Sequence, residues 1–191
     1  MPKAIKYLVF GPIIVFLSIL IFFYIKNSPQ RATATRFTPI TIGNEAPDFS
    51  LPDLAASTVR LASLRGKVVL INIWATWCPS CIGEMPHLQQ LYEELKDNEN
   101  FQLLTISIDA LGAQVVKPFM EKHKLDFTTL LDPKGSIKKT YNTTGVPESF
   151  IINQKGIIVD KIIGPRDWSS SNARRFIETL IEKGKNPFGH G

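Results

Sequence analysis

Hydrophobic residues are distributed in two ways along the chain. At the amino end, residues 7–25 form an unbroken run without a charged side chain, whereas beyond residue 45 short apolar segments alternate with polar ones. A helix of that length would extend about 28 Å, close to the roughly 30 Å hydrocarbon core of a bilayer. The pattern predicts one N-terminal transmembrane helix at 7–25, preceded by a short basic tail at 1–6.

Two other structures could explain the run. A cleaved signal peptide also has a basic start, but its apolar region is usually shorter, and the small residues at 32–34 follow two further cations. A buried helix of a folded domain would have a polar face, which this run lacks. We therefore expect an uncleaved anchor, with the tail inside the cell and the rest of the chain outside, as in signal anchors.

Residues 26–44 connect the anchor to the folded part. They combine Pro, Ser and Thr with cations and show no periodic apolar face, which is typical of a linker. The folded domain is expected at 45–191, a length that can bury a core without disulfides. This organisation predicts a single-pass protein of the cell membrane with its domain on the extracytoplasmic, periplasmic side.

Beyond the linker, strand and helix patterns alternate. Segments at 48–51 and 58–61 predict a β-hairpin, and VVLINIW at 68–74 is apolar on both faces, as in the central strand of a covered sheet. From Pro79 to about Lys96, apolar residues recur every three or four positions, which predicts an amphipathic helix. The remaining strands are predicted at 101–108, 127–131, 149–152 and 157–163, and the remaining helices at 113–124, 136–141 and 170–183. This order indicates an α/β fold with a mixed central sheet, flanking helices and an N-terminal β-hairpin.

Charge and cysteine content exclude several protein classes. The net charge is +5, from 22 Lys and Arg against 17 Asp and Glu, and two of the cations, Lys3 and Lys6, belong to the tail. The excess is too small to indicate nucleic-acid binding. With 44% hydrophobic residues and only two cysteines, the chain is neither disordered nor a disulfide-rich scaffold.

Both cysteines lie in one motif, Trp77-Cys78-Pro79-Ser80-Cys81, where the central strand meets the following helix. If Cys78 caps the helix, Pro79 takes the first helical position, where its missing N–H costs nothing. The free backbone amides and the helix dipole then favour a thiolate at Cys78. Cys81, one turn further on, can attack a mixed disulfide formed at Cys78. The motif predicts a redox-active Cys78–Cys81 disulfide that needs no metal and no other cofactor.

Other uses of a CxxC pair fit this sequence less well. Two inert buried thiols would not need to stand together at the start of a helix. A zinc site would need two more ligands, and only His87, His123 and His190 are present, without a second CxxC. Covalent haem attachment needs a histidine directly after the second cysteine, where Ile82 stands.

Three stretches together resemble the thioredoxin superfamily: WATWCPSC with Pro86 five residues after Cys81, Gly145-Val146-Pro147 before a predicted strand, and APDF at 46–49. The last of these and GVPESF at 145–150 are similar to the membrane-anchored TlpA/ResA/DsbE-like branch, and the resemblance covers about 45–183. It implies a thioredoxin-like fold and extracytoplasmic thiol-disulfide exchange, most often the reduction of apocytochrome c before haem attachment. The expected partners are protein disulfides and a membrane thiol electron donor.

The resemblance also implies roles for residues outside the cysteine pair. Pro147 matches a proline with a cis peptide bond that places the backbone of Val146 beside the CxxC motif, and Trp77 matches a tryptophan next to the first cysteine. Glu84 matches a glutamate kept near the thiols. Three residues after Cys81, it shares a helix face with that residue and could raise thiol pKa values or relay a proton. A solvated helix glutamate is the alternative.

At two positions the sequence differs from the pattern of related proteins, and these differences concern the substrate and the direction of electron transfer. Asn142-Thr143 replace a Gly-Val pair that is usual in the cytochrome-maturation branch, so general or sporulation-type thiol reduction stays open. Ser80 stands where strong periplasmic oxidants carry histidine, which indicates a reductase. A thiol oxidase or isomerase is the alternative. A peroxiredoxin would need a Pro and a Thr or Ser shortly before the first cysteine, and a copper carrier would need a third ligand.

Overall fold

A computed structural model of the chain describes residues 17–20 and 40–185. In the N-terminal unit, Met1–Thr38, the described residues 17–20 are helical, and Leu17, Ile19 and Leu20 are each about half exposed. Across the described residues, no helix combines the length and the apolar character needed to cross a membrane. The predicted tail, most of the predicted anchor at 7–25 and most of the predicted linker lie outside the described residues.

The second unit, Pro39–Gly191, contains the α/β domain. Its strands are β1 (Ser50–Pro52), β2 (Thr58–Arg60), β3 (Val68–Trp74), β4 (Phe101–Ser107), β5 (Thr129–Leu131), β6 (Glu148–Ile152) and β7 (Ile158–Ile163). Its helices are α1 (Pro79–Leu95), α2 (Ala113–His123), α3 (Ser136–Thr140) and α4 (Ser171–Lys185), with a 3₁₀ turn at Leu61–Leu64. Every predicted strand and helix of the domain is confirmed, with ends that differ by at most two residues.

The main sheet has five strands in the order β5-β4-β3-β6-β7. Strands β3, β4 and β5 are parallel, whereas β6 and β7 are antiparallel to their neighbours. Strands β1 and β2 form a separate antiparallel hairpin. The predicted mixed sheet with an N-terminal hairpin is therefore confirmed, and the architecture is a thioredoxin-like α/β fold. All seven residues of β3 are buried, because the sheet is covered on both faces.

Successive residues of β3 contribute to two different hydrophobic cores. Leu70 and Trp74 belong to the core that also contains the buried face of α1, while Ile71 and Ile73 belong to the opposite core. Since strand side chains alternate between faces, Asn72 points to the same side as Leu70 and Trp74. The one polar residue of β3 therefore lies beneath α1.

Strand pairing brings two distant loops to one edge of the sheet. Strands β3 and β6 are antiparallel, with Ile73 opposite Glu148. The residues that follow β3 and the residues that precede β6 consequently emerge side by side. The CxxC motif starts in the first of these loops, and the Val146-Pro147 pair lies in the second.

Candidate active site

Cys78 and Cys81 stand at the start of α1 and form a disulfide with a Cα–Cα distance of 5.2 Å. Cys78 is the N-cap residue in an extended conformation, and Pro79 opens the helix. The backbone N–H of Cys81 donates to Sγ of Cys78 over 3.2 Å. This is the arrangement expected from the sequence, in which a free amide of the first helical turn faces the first sulfur.

Further contacts define the surroundings of Sγ of Cys78. In the disulfide form the sulfur carries no proton, so the Ser80 hydroxyl, 3.4 Å away, is the donor of that contact. In the reduced form, the same hydroxyl and the Cys81 amide would both stabilise a thiolate on Cys78. Cys78 is 5% exposed and Cys81 is fully buried, so an incoming group meets the first sulfur.

The peptide bond between Val146 and Pro147 is cis, as the family resemblance implies. The carbonyl oxygen of Val146 lies 3.6 Å from Sγ of Cys78, although 68 residues separate them in sequence. Pro147 is buried, whereas Val146 is partly exposed. An extended peptide that reached this sulfur would pass along the Val146 backbone.

The loop around the cis bond is held by the side chain of Glu148, at the start of β6. One carboxylate oxygen accepts a hydrogen bond of 3.0 Å from the backbone N–H of Thr144. The other lies 2.7 Å from the Lys161 ammonium, as an ion pair outside hydrogen-bonding geometry. Glu148 is completely buried, so its charge is matched inside the protein. This residue was not identified as functional from the sequence.

Trp77 differs from its neighbours because its side chain is 64% exposed. The preceding residue, Thr76, is fixed by the buried Asp109, which accepts a 2.9 Å hydrogen bond from the Thr76 backbone and a 2.7 Å bond from its hydroxyl. The tryptophan therefore extends from a firmly held loop next to the disulfide. A large apolar surface in this place suits contact with another polypeptide.

Glu84 is buried on the inner face of α1, with 2% of its surface exposed. One oxygen accepts from Nε1 of Trp168 over 2.6 Å and from the backbone N–H of Arg166 over 3.0 Å. The other accepts from Nδ2 of Asn72 over 3.1 Å. Asn72 also donates to the Ser149 hydroxyl over 2.9 Å. The structure therefore places Glu84 in a buried position, as the reading of a carboxylate near the thiols requires, and not in the solvated position of the alternative; its effect on the thiols stays a prediction.

Burial raises the pKa of the Glu84 carboxyl above its ordinary value, because desolvation penalises the charged form. The hydrogen bonds from Arg166, Trp168 and Asn72 oppose this rise, and so does the positive charge of His87. Glu84 lies three residues beyond Cys81 on α1. A buried carboxyl group with a raised pKa therefore lies one helical turn from the second sulfur.

Sequence reasoning did not find Arg166 and Trp168. Both belong to the loop between β7 and α4, more than 80 residues from Glu84. Arg166 lies over the Trp168 ring, 5.0 Å from its centroid, and pairs with Asp160 at 3.5 Å. No motif marks these residues, and the single weak signal is that tryptophan occurs only three times in the chain.

In the part of the chain that the structure describes, no three His, Cys, Asp or Glu side chains are grouped so that they could hold a metal ion. His87 and His123 lie on different helices, and His123 packs against the Phe119 ring with a centroid distance of 4.3 Å. The groups that the described residues bring together at this edge of the sheet include the two sulfurs and the buried carboxyl group of Glu84.

Comparisons with known proteins agree with this geometry. The profile of the AhpC/TSA family matches residues 42–161. The thiol-disulfide oxidoreductase ResA of Bacillus cereus is 38% identical over 124 residues, which cover 64% of this chain and 70% of the relative.

Two solved structures extend the likeness to the fold. A Chlorobium tepidum protein assigned as the thiol:disulfide interchange protein DsbE matches with a TM-score of 0.64 at 29% identity, covering 76% of this chain and 98% of that one. StoA of Bacillus subtilis matches with a TM-score of 0.58 at 28% identity, covering 70% and 96%. The chain therefore belongs to the AhpC/TSA family, as a thioredoxin-fold thiol-disulfide oxidoreductase of the ResA, StoA and DsbE type.

Proposed function

We propose that this protein is a membrane-anchored, extracytoplasmic dithiol reductant of protein disulfides. The observation that carries the proposal is the position of Cys78, at the N-terminus of α1 with its sulfur facing the Val146 carbonyl. This position combines a stabilised thiolate with a backbone edge along which an extended substrate can lie. The apolar run at 7–25 supports the anchor.

The reaction proceeds in two exchanges of sulfur partners. The Cys78 thiolate attacks one sulfur of a substrate disulfide, so that a mixed disulfide forms and the other substrate sulfur leaves as a thiolate. Cys81 then loses its proton and attacks Sγ of Cys78, which releases the second substrate sulfur and closes the Cys78–Cys81 disulfide. Two electrons pass to the substrate, and its two thiolates take up protons.

Glu84 is the candidate acceptor for the proton that Cys81 releases. The carboxylate lies one helical turn away, in a site that solvent barely reaches. Because burial raises the pKa of this carboxyl, its affinity for a proton approaches that of a thiol more closely than an exposed glutamate would. Trp77 and the Val146-Pro147 backbone would position the substrate around the sulfur.

The partners follow from the direction of electron flow. A reductant must be reduced again, and the sequence contains no further cysteine to do this, so a membrane thiol carrier is the proposed electron donor. Apocytochrome c, reduced before haem attachment, is the proposed substrate within a wider class of protein disulfides. No metal and no cofactor other than the Cys78–Cys81 disulfide are needed for this chemistry.

A glutathione redox titration of the full chain in mild detergent tests the direction. We expect a midpoint nearer the about −270 mV of thioredoxin than the about −120 mV of the oxidant DsbA. A Ser80→His variant should move the midpoint upward, because an imidazolium beside Cys78 stabilises the thiolate, whereas Ser80→Ala is the control without added charge. A wild-type midpoint in the range of DsbA would show that the protein is an oxidase.

A further inference from the structure

His87 joins two parts of the site that are far apart in sequence. It lies on α1, one turn beyond Glu84, and its side chain is 43% exposed. Its Nδ1 lies 3.0 Å from Oγ of Ser169 and 3.2 Å from Oδ1 of Asp167. The Ser169 hydroxyl also donates to the same Asp167 oxygen over 2.5 Å. The three side chains therefore form one connected group.

The two residues that His87 contacts lie on either side of Trp168. The Trp168 indole and the backbone N–H of Arg166 supply two of the three hydrogen bonds to Glu84. This loop has no regular secondary structure between β7 and α4, and its contacts with α1 include the two hydrogen bonds to Glu84 and the contacts of His87. His87 attaches the loop to the same helix that carries Glu84.

The arrangement does not suit hydrolysis. In a Ser-His-Asp triad, the serine and the aspartate engage opposite nitrogens of the imidazole. Here Ser169 and Asp167 both contact Nδ1. The hydrogen-bonding pattern is that of a clamp, in which one ring nitrogen holds two neighbouring side chains of the loop.

We propose that His87 is a positioning residue for the redox centre: through Asp167 and Ser169 it holds the loop that donates to Glu84. The inference deepens the proposed exchange reaction, in which Glu84 handles the Cys81 proton. His87 itself touches neither sulfur in this role.

Charged groups face His87 from two elements. Glu84 lies on its own helix, and Asp167 and Arg166 lie on the loop, where Arg166 is paired with Asp160. A groove of about 360 Å³ opens between residues 80–87 of α1 and residues 165–167, so water reaches the imidazole. The hydrogen bond from the Ser169 hydroxyl holds the pKa of Asp167 below its ordinary value, and the positive charge of His87 and the backbone hydrogen bonds from Ser169 and Ser170 act in the same direction.

The test follows the protonation of Glu84 in the oxidised full chain, where no thiol titrates. The reporter is the Trp168 indole N–H in ¹H–¹⁵N NMR spectra between pH 4 and 9, since its hydrogen bond ends on the Glu84 carboxyl. The Trp168 resonance is assigned as the indole N–H signal whose chemical shift no longer changes with pH in the Glu84→Gln variant. Oxidised protein keeps this test separate from the proposed direction of electron flow, which the redox midpoint decides.

We expect the pH midpoint of the change in this chemical shift to rise by about half a pH unit or more in His87→Leu. In that variant, both the charge of His87 and its contacts with Asp167 and Ser169 are lost. His87→Asn keeps a donor near the Nδ1 position and should give a smaller rise. Ser169→Ala removes one contact without changing charge and should also raise the midpoint. His123→Leu, on another helix, is the matched control and should leave it unchanged.

An unchanged midpoint in His87→Leu, or a shift of equal size in His123→Leu, would overturn the proposal. If His87→Leu does not fold, Ser169→Ala carries the test, and an unchanged midpoint there would overturn it equally. A normal redox midpoint with an unchanged Glu84 titration would refute the role of His87 while leaving the reductase function intact.

Discussion

Replacing Glu84 by glutamine should leave the fold intact, because the site can accept an amide. The glutamine carbonyl oxygen can receive the hydrogen bonds from Arg166 and Trp168 that Oε1 receives now. The new NH₂ group would face Nδ2 of Asn72, but Oδ1 of Asn72 has no hydrogen-bond partner. If that amide turns over, Oδ1 accepts from the glutamine and from the Ser149 hydroxyl.

Ionisation of the buried Glu84 carboxyl nevertheless lowers the stability of the folded protein at higher pH. Burial raises the pKa of this carboxyl in the folded protein above its ordinary value of 4.5, so the folded state holds the proton more strongly than the unfolded state. The free energy of unfolding then falls as pH rises from about 4.5 through the raised pKa. Each unit by which the pKa is raised costs about 1.4 kcal/mol at higher pH. A glutamine does not ionise and avoids this loss.

Urea unfolding of the oxidised protein at pH 4, 6 and 8 measures the effect. We expect the unfolding free energy of Glu84→Gln minus that of the wild type to be small at pH 4, where both side chains are neutral. The difference should grow in favour of the variant towards pH 8. Glu93→Gln, with a half-exposed side chain on the same helix, is the matched control and should show no such growth. A difference that stays constant over this pH range would refute a raised pKa for Glu84.

Two further predictions concern the cysteines and the membrane. A thiol reagent that cannot cross membranes should label reduced Cys78 in intact cells, because the domain is expected outside the cytoplasm, and a Cys78→Ser variant supplies the background; labelling only after lysis would contradict this topology. Cys81→Ser should accumulate mixed disulfides with substrate proteins, since the second exchange is blocked, whereas Cys78→Ser should not, as gel electrophoresis without reductant would show. The reverse pattern would mean that Cys81 is the attacking thiol.

Local features of the sequence were sufficient to predict the elements of the domain. The two-sided apolar run of β3 and the three-to-four spacing in α1 depend on residues that are neighbours in the chain. The same is true of the CxxC pair, because a strand that ends at Trp74 and a proline at position 79 define where the helix begins. Short-range patterns of this kind survive in any fold that uses the same elements.

The environment of the sulfurs depended on the tertiary structure. The spacing of Glu84 from Cys81 placed it on the inner side of α1 but could not show what covers it. Glu84 is buried because the loop that carries Arg166 and Trp168 packs against it, although more than 80 residues separate the two in sequence. The sequence determined which groups are present in this site. Only the packing of distant segments decided that Glu84 would be desolvated and hydrogen-bonded, because those contacts obey no local periodicity.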